Sequence, residues 1–366
     1  KYMISHVIMP EIAQKGYELY FAKVDEPSEE FEYGAIYYFY EDKETEEIMT
    51  VRFAMDNYYE HCLACEIDPR MNKVYIENHH PKYNYLQDIR EFNKREDLPE
   101  ELYNLDILDG SPPCTTFSMA GDREESWGVK KKFREGQAEQ TLDDLSFVFI
   151  ETVAKLRPKV MIMENVEGLI KGEAWTYVQK IYKQLNDIGY KVKHWLLKGE
   201  NMGVPQTRHR VFFVATRLDF NLDKIDMAFN YEPITYGEIK EGELKPLGKD
   251  TKFYKIAAQA KPQDKNIADT RIRLGENGSA FQTLYVRDNQ VVPTQRTKPD
   301  LIDIKHIAYV SKETIRNSQT FPQDYNWLGE VPAYICGMSV PPIMIKRIVN
   351  RLIESGLFDY KETKRK

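Results

Sequence analysis

Residues 50–217 alternate short apolar runs with stretches of helical character, and this alternation restricts the fold more than any other feature of the sequence. Strands that alternate with helices form a mostly parallel sheet with helices on both faces, a doubly wound α/β arrangement. Ligands of such sheets bind outside the carboxyl ends of the strands. The residues that directly follow each apolar run are therefore the first candidates for a functional site.

A stiff turn that carries a cysteine follows one of these runs, at residues 105–108. The turn contains Pro112, Pro113 and Cys114. Each proline fixes its own φ angle and has no N–H donor, so the thiol is held on a rigid loop at the end of a strand. Free cysteine is also among the most buried residue types, so a structural role for Cys114 is the alternative reading.

Three further motifs accompany strand-like runs. Glu164, Asn165 and Val166 end the apolar run 159–163, a Gln-x-Arg-x-Arg motif at 206–210 precedes the run 211–215, and a Gly-Met-Ser-Val-Pro-Pro motif occupies 337–342. In this order, and together with the proline-proline-cysteine turn, these motifs resemble those of the cytosine-C5 methyltransferases. The resemblance covers roughly residues 50–357 and also includes segments 292–295 and 313–322, which resemble motif IX of that family.

The resemblance implies an α/β fold, namely a Rossmann-like S-adenosylmethionine-dependent methyltransferase sheet with a small, irregular target-recognition domain. It implies Cys114 as the nucleophile that adds to C6 of cytosine and so makes C5 able to attack a methyl group. Glu164 would hold a proton at N3, Arg208 would orient that carboxylate or the cytosine O2, and Arg210 would brace the loop or contact a phosphate. A stacked cytosine is out of reach of a thiol, so base flipping is implied. A structural ion pair is the alternative for Glu164 and Arg208.

The same resemblance implies S-adenosylmethionine as the methyl donor. Glu66 would bind the ribose hydroxyls and Asp88 would face the adenine amino group. The full set of expected cofactor-binding residues is Phe53, Glu66, Ile67, Asp88, Ile89, Pro112, Leu142, Ser339 and Val340. Cys62 and Cys65 form a Cys-x-x-Cys pair with no second ligand pair at metal spacing, so we expect no metal site.

The sequence departs from the family at its first motif, a glycine-rich turn that should follow the first strand. Met55 and the residues after it lead almost at once into the Glu66 strand, and no glycine turn or helix fits between. Either this element is lost, or residues near Ala54 and Met55 are missing from the sequence as printed. We favour the second explanation, which a mass of the intact protein above 43.0 kDa would support. Thr115 and Met338 also differ from the residues usual in the family.

Charge and periodicity divide the chain into four segments. Residues 1–49 have 12 acidic and 4 basic side chains and form an acidic extension with a predicted strand at 33–40. Residues 50–217 form the predicted catalytic domain, with a helix from near Thr141 to Pro158. Residues 218–330 form the target-recognition domain, in which 11 basic residues face 5 acidic ones between 245 and 298. Residues 331–366 return to the catalytic domain as a helix that we expect Ser339 to cap.

The basic region favours contacts to DNA phosphates, although charged segments are often only solvated surface. No apolar run approaches the roughly 18–20 residues that span a bilayer. We therefore expect a cytoplasmic enzyme that acts on double-stranded DNA, of a restriction–modification or orphan type, with a cognate restriction endonuclease as a possible partner. An RNA cytosine-5 methyltransferase and a non-catalytic DNA-binding homologue are the alternatives. For residues 1–49, a solvated β-extension and a partner-binding or autoinhibitory role both stay open.

Overall fold

The computed structural model of the protein describes residues 17–23, 36–42, 48–53, 62–112 and 145–360 of the chain. The chain divides into two compact units. One comprises residues 1–64 and 75–85, and the other comprises residues 65–74 and 86–366. Cys114, Leu142 and residues 54–61, where the glycine-rich turn was expected, lie outside the described residues.

The first unit contains an antiparallel sheet in the order β1-β2-β3. Its strands are β1 (Tyr17–Lys23), β2 (Ile36–Asp42) and β3 (Ile48–Phe53). The strand predicted within residues 33–40 is confirmed as β2, whose tyrosines and phenylalanine favour extended backbone. Among the described strands, β3 pairs with β2. β3, which contains the first residues of the predicted catalytic segment 50–217, is therefore paired with a strand of the acidic segment.

Two short strands and two helices precede the main sheet. They are β4 (Leu63–Glu66), α1 (Pro69–His79), β5 (Tyr83–Leu86) and α2 (Ile89–Lys94). β4 and β5 pair with each other. Asp88 caps the start of α2, because its carboxylate accepts a hydrogen bond from the Arg90 amide at 2.8 Å. An aspartate at this position satisfies one of the free N–H groups of the first helical turn.

The main sheet has the strand order β6-β7-β10-β8. Its elements are β6 (Ile107–Gly110), α3 (Leu145–Leu156), β7 (Val160–Val166), α4 (Trp175–Asp187), β8 (Lys191–Lys198) and β10 (His209–Thr216). β6 and β7 are parallel, and β10 is antiparallel to both β7 and β8. A parallel pair with a helix between its strands is the βαβ unit that the alternating sequence predicted.

Helices cover both faces of this sheet. Phe212 and Val214 of β10 belong to a buried cluster with Ile348 and Leu352 of the C-terminal helix. The side chain between them, Phe213, points the other way, and its ring lies 6.4 Å from that of Tyr182 in α4. Successive strand residues face opposite sides, so burial of all three indicates a sheet enclosed on both faces.

The predicted target-recognition segment consists of short elements. They are α5 (Tyr236–Ile239), β11 (Lys245–Pro246), α6 (Lys252–Ala257), α7 (Ile267–Arg273), β12 (Leu284–Val286), β13 (Val292–Pro293), β14 (Leu301–Asp303), β15 (Ala308–Tyr309) and α8 (Lys312–Ser318). A sheet in the order β11-β15-β14-β12 packs with α6 and α7 around Ile256, Ile267 and Ile302. This segment therefore has an apolar core of its own.

A buried carboxylate ties the helices of this small domain together. Asp264 accepts hydrogen bonds from the Arg273 guanidinium at 2.6 Å, the Thr270 hydroxyl at 3.0 Å and the Lys261 amide at 2.9 Å. The Arg273 hydrogen bond is the main cause that lowers the pKa of Asp264 to about 2. Because this pKa is below that of an unfolded aspartate, the stabilisation is present above pH 4 and is lost as the pH falls towards 2.

We expect Asp264→Asn to lower the free energy of unfolding at pH 7 by about 1–3 kcal/mol, since a buried donor loses its charged acceptor. Asparagine does not titrate, so the difference between the two proteins should narrow below about pH 4. Urea unfolding of both proteins between pH 7 and pH 3 measures this. A difference in unfolding free energy that stays constant from pH 7 to pH 3 would contradict a stabilising role for the ionised Asp264 carboxylate.

The C-terminal segment contains α9 (Pro332–Met338) and α10 (Pro342–Glu354). The expectation that Ser339 caps α10 is wrong. Ser339 follows the last residue of α9, and its hydroxyl donates to the Ile335 carbonyl at 2.8 Å. Pro341 precedes α10 and Pro342 begins it, because proline has the φ angle of a first helical turn and needs no partner for an N–H. None of the helices in the described parts of the chain has the length and apolar character needed to cross a membrane.

Candidate active site

The motif residues of β7 and β10 lie side by side at one edge of the main sheet. Glu164 lies two residues before Val166, the last residue of β7, and Arg210 is the second residue of β10. In the antiparallel register, Arg210 lies opposite Val166 and Phe212 lies opposite Glu164. Residues that are 46 positions apart in sequence are thereby brought into contact, a pairing that the order of the motifs did not specify.

Glu164 and Arg210 form an ion pair. The Arg210 Nε donates to Glu164 Oε1 at 2.7 Å, and the side chains are only 16% and 12% exposed. The Arg210 Nη1 also donates to the backbone carbonyl of His209 at 2.7 Å, which fixes the guanidinium from a second side. Arg210 therefore orients the Glu164 carboxylate, a role that the sequence analysis had given to Arg208.

Arg208 is buried and contacts backbone carbonyls. Its Nη1 donates to the Gln295 carbonyl at 3.2 Å and its Nη2 to the Gly337 carbonyl at 3.4 Å. Its Nε has no hydrogen-bond partner among the described residues. Burial, followed by the nearby Arg210 charge, lowers the pKa of Arg208 to about 9, so the side chain is still a cation at neutral pH. A buried cation with one free donor can bind a substrate acceptor at little further desolvation cost.

Gly337 owes its identity to a close backbone contact. A Cβ at this position would lie 2.3 Å from the carbonyl carbon of Arg296 and 2.3 Å from the amide nitrogen of Thr297. Only glycine permits this approach between α9 and the segment after β13. The contact places the Gly337 carbonyl within reach of Arg208.

The start of the proline-proline-cysteine turn meets the Glu164 strand. The Asn165 side-chain amide donates to the Pro112 carbonyl at 3.3 Å. Pro112 is the last described residue before a gap, and Cys114 is two residues further along the chain. The structure thus brings together Glu164, Arg208, Arg210 and the entry to the turn, while the thiol itself lies outside the described residues.

A buried glutamine network joins the remaining motifs. Gln206, the first residue of β9 (Gln206–Thr207), donates through Nε2 to Gln319 Oε1 at 2.8 Å and accepts from the Gln295 amide at 3.1 Å. The Gln319 Nε2 in turn donates to the Ser339 carbonyl at 2.8 Å. β9 also pairs with β13 in parallel. The segments that resembled motif IX therefore support the loop that carries Arg208.

His209 lies between two carboxylates, and the sequence analysis did not identify it. Its Nε2 is 2.7 Å from Glu200 Oε1 and its Nδ1 is 3.7 Å from Glu167 Oε2. A hydrogen bond from Lys171 is the main cause that lowers the pKa of Glu167, and His209 contributes. In the sequence, only the position of His209 between the two motif arginines indicated that it lies at this site. Its contacts with Glu167 and Glu200 depend on the tertiary structure.

Two carboxylates stand at the ends of β4 and β5, where we expected the methyl donor. The Gln87 amide donates to the Glu66 carbonyl at 3.1 Å, which holds the two strand ends together. The Glu66 Oε1 accepts from the Asp68 amide at 2.7 Å, and Ile67 between them is 38% exposed. Acceptors for ribose hydroxyls beside an exposed apolar side chain fit the adenosine part of S-adenosylmethionine. Burial, with Glu66 and Asp88, raises the pKa of the Cys65 thiol to about 12.

The other expected cofactor residues belong to several elements of the chain. Ile89 follows Asp88 as the first residue of α2, and Phe53 is the last residue of β3. Val340 packs against the cluster that contains Phe212, directly after Ser339. Leu142 lies outside the described residues.

Most arginines of the basic region form ion pairs or hydrogen bonds with other residues of the same region. Arg271 pairs with Glu276, Arg273 with Asp264 and Arg296 with Asp300. Arg287 donates to the backbone carbonyls of Lys261 and Asp264. The exposed cations without an ion pair among the described residues are lysines, namely Lys245, Lys249, Lys255, Lys261, Lys265 and Lys298. Lysine is thus the cation that this part of the chain exposes without a carboxylate partner.

Comparison with known proteins agrees with this arrangement. A sequence model of the C-5 cytosine-specific DNA methylases matches residues 47–354. Type II methyltransferase M.Bsp6I of Bacillus sp. (strain RFL6) is 27% identical over 326 residues, which is 83% of this chain and 95% of that protein. Type II methyltransferase M.FnuDI of Fusobacterium nucleatum is 29% identical over 238 residues, which is 64% of this chain and 61% of that protein.

The fold is also that of a solved methyltransferase. The crystal structure of S. pombe Dnmt2 methyltransferase has a TM-score of 0.51 and 14% sequence identity, over 80% of this chain and 90% of that chain. At this identity the likeness shows the fold, which is the α/β methyltransferase sheet that the motifs implied. The family match over most of the chain supplies the chemistry: this protein belongs to the C-5 cytosine-specific DNA methylases and methylates carbon 5 of cytosine in DNA.

Proposed function

We propose that the methyl donor is S-adenosylmethionine and that Cys114, Glu164, Arg208 and Arg210 form the catalytic group. The observation that carries this proposal is the Glu164–Arg210 ion pair, which stands beside the Asn165 contact to the proline-proline-cysteine turn. The donor supplies an electrophilic methyl group. All other steps depend on groups of the protein.

The Cys114 thiolate forms a bond to C6 of the flipped cytosine, and the ring electrons move towards N3. The Glu164 carboxyl, held by Arg210, would share a proton with N3 and so neutralise that charge. C5 then takes the methyl group, whose bond to the sulfur of the donor breaks with the electron pair left on that sulfur. The C5 proton passes to water, the C5–C6 double bond re-forms and the thiolate is released. The free Nε of Arg208 supports an assignment to the cytosine O2, since a buried donor without a partner calls for an acceptor.

The donor is proposed to bind at the edge formed by Glu66, Ile67, Asp88 and Ile89. The further residues of this site are Phe53, Pro112, Leu142, Ser339 and Val340. Support comes from the Glu66 carboxylate, which a backbone amide already holds, and from the exposed Ile67 beside it.

Double-stranded DNA is proposed to contact the lysines of the 218–330 segment, because six exposed lysines between residues 245 and 298 have no ion-pair partner in the described structure. We retain the division into residues 1–49, 50–217, 218–330 and 331–366 as a proposal. The Type II names of the relatives support a restriction–modification role in the cytoplasm with a cognate endonuclease, and the orphan type is the other outcome.

Methyl transfer from labelled S-adenosylmethionine tests this function. We expect the full chain to transfer label to duplex DNA and to leave a 5-methylcytosine that bisulfite sequencing maps to one sequence context. Transfer RNA and duplex DNA free of cytosine serve as controls. Label on the RNA alone, or no transfer to DNA of any sequence with this donor, would contradict the proposal.

A further inference from the structure

Tyr334, in the middle of α9, makes a polar contact that none of the sequence motifs indicates. Its hydroxyl donates to Asp68 Oδ2 at 2.7 Å, and the Arg70 Nη2 donates to the same hydroxyl at 2.8 Å. The Arg70 guanidinium carbon also lies 4.3 Å from the centre of the Tyr334 ring. Asp68 is only 3% exposed, so its carboxylate depends on protein donors.

Asp68 in turn fixes the carboxylate that we assign to the ribose. The Asp68 amide donates to Glu66 Oε1 at 2.7 Å. The Asp68 Oδ1 accepts from the Arg70 amide at 3.0 Å, which ties the turn to the start of α1. Loss of a hydrogen bond to the Asp68 carboxylate would therefore loosen this turn, and with it the amide that orients Glu66.

The same helix also reaches the catalytic arginine. One turn after Tyr334, the Gly337 carbonyl accepts from Arg208 at 3.4 Å. The Ser339 carbonyl, just past the helix, accepts from Gln319 at 2.8 Å. α9 is consequently held between the turn that carries Glu66 and the loop that carries Arg208, so its position is fixed from both sides.

We propose that Tyr334 is a positioning residue for the methyl donor, which through Asp68 holds the Glu66 carboxylate in the direction that the ribose requires. Tyr334 need not touch the donor. This inference rests on the proposed use of S-adenosylmethionine. A preorganised acceptor does not have to be ordered when the ligand binds, and loss of that order weakens binding without removing a direct contact.

Titration calorimetry of the full chain with S-adenosylmethionine tests the inference. Tyr334→Phe removes one hydroxyl and keeps the ring beneath Arg70. We expect it to raise the Kd for the donor about tenfold, as for loss of one hydrogen bond to a charged group. The Glu66→Ala variant is also expected to bind more weakly. In the Glu66→Ala background, Tyr334→Phe should have no further effect, because its action passes through Glu66.

Tyr236→Phe is the matched control. The Tyr236 hydroxyl donates to the buried Asp303 Oδ2 at 2.8 Å, which is the same chemistry within the small domain. We expect this variant to lose stability in urea unfolding but to bind the donor with a Kd within twofold of the unchanged protein.

The outcomes separate the two proposals. No binding of the donor by the unchanged chain would refute the proposed cofactor. Binding by the unchanged chain with an equal Kd for Tyr334→Phe would overturn the role of Tyr334, and so would a tenfold effect that persists in the Glu66→Ala background. If Tyr334→Phe does not fold, Asp68→Asn takes its place and is measured alone and in the Glu66→Ala background. The expected result and the results that would overturn the proposal are the same.

Discussion

Replacement of Cys114 by alanine is expected to abolish methyl transfer while duplex DNA is still bound. Without the thiolate no bond forms to C6, and C5 stays too weak a nucleophile to attack the methyl group. We expect kcat to fall by at least about 10⁴-fold, the scale seen when an enzyme loses its nucleophile. Initial-rate assays with labelled donor and a filter-binding assay for DNA measure the two quantities.

The thiols that the structure describes support this choice of nucleophile. Burial raises the pKa of Cys65 to about 12 and raises the pKa of Cys336 above its ordinary value, so both are protonated at neutral pH. A protonated thiol is a poor nucleophile. Cys62→Ala, which removes a half-buried thiol, is the control and should keep its rate.

DNA that contains 5-fluorocytosine gives a second readout of the same prediction. Fluorine at C5 cannot leave as a proton does, so the thiol stays bonded to C6 after methyl transfer. We expect a covalent complex with the unchanged chain and none with Cys114→Ala. A complex of equal yield with the alanine variant would show that another residue attacks the ring.

Substitution of either member of the Glu164–Arg210 pair is expected to have the second-largest effect, on kcat for Glu164 and on stability for Arg210. Glu164→Gln retains the shape of the side chain but cannot exchange a proton, so kcat should fall about 10²–10⁴-fold. Arg210→Met leaves a largely buried carboxylate without its cation, which should cost about 3 kcal/mol of unfolding free energy. Steady-state kinetics and urea unfolding measure these changes.

The double variant Glu164→Gln/Arg210→Met tests whether the two side chains stabilise the protein through their direct contact. With both charges removed, no carboxylate is left unpaired, so the stability loss should be smaller than that of Arg210→Met alone. Lys183→Met is the matched control, because it breaks the exposed Lys183–Asp187 ion pair in α4 and should change stability by less than about 1 kcal/mol. Additive losses in the double variant would contradict a direct coupling of Glu164 with Arg210.

Sequence motifs indicated which residues meet but not which atoms pair. The ends of β7 and β10 and their charged residues were identified from apolar runs and motif order, because strand ends in an α/β sheet share one edge. The sequence analysis gave Arg208 two alternative partners, the Glu164 carboxylate and the cytosine O2, and in the structure it is Arg210 that pairs with Glu164. The two arginines flank His209 in the sequence. The strand register places Arg210 beside Glu164, whereas the carbonyls of Gln295 and Gly337 hold Arg208.

Contacts across long stretches of sequence were the features that the sequence could not supply. Ser339 follows a helix instead of capping one, because Pro341 and Pro342 set the start of α10. His209 meets Glu167 and Glu200, and Tyr334 meets Asp68, 266 residues earlier in the chain. No local pattern encodes these pairs, since their members lie on elements whose packing depends on the whole core.

The sequence by itself determined the family, the order of the motifs and the alternation of strands with helices, because these depend on residue types and on their spacing along the chain. Only the tertiary structure decided that Arg210 holds Glu164, that Arg208 is buried against two carbonyls and that the arginines of the basic region are used within the small domain. Hydrogen bonds and ion pairs act over about 3 Å, so their partners are fixed only when packing brings distant segments to that distance.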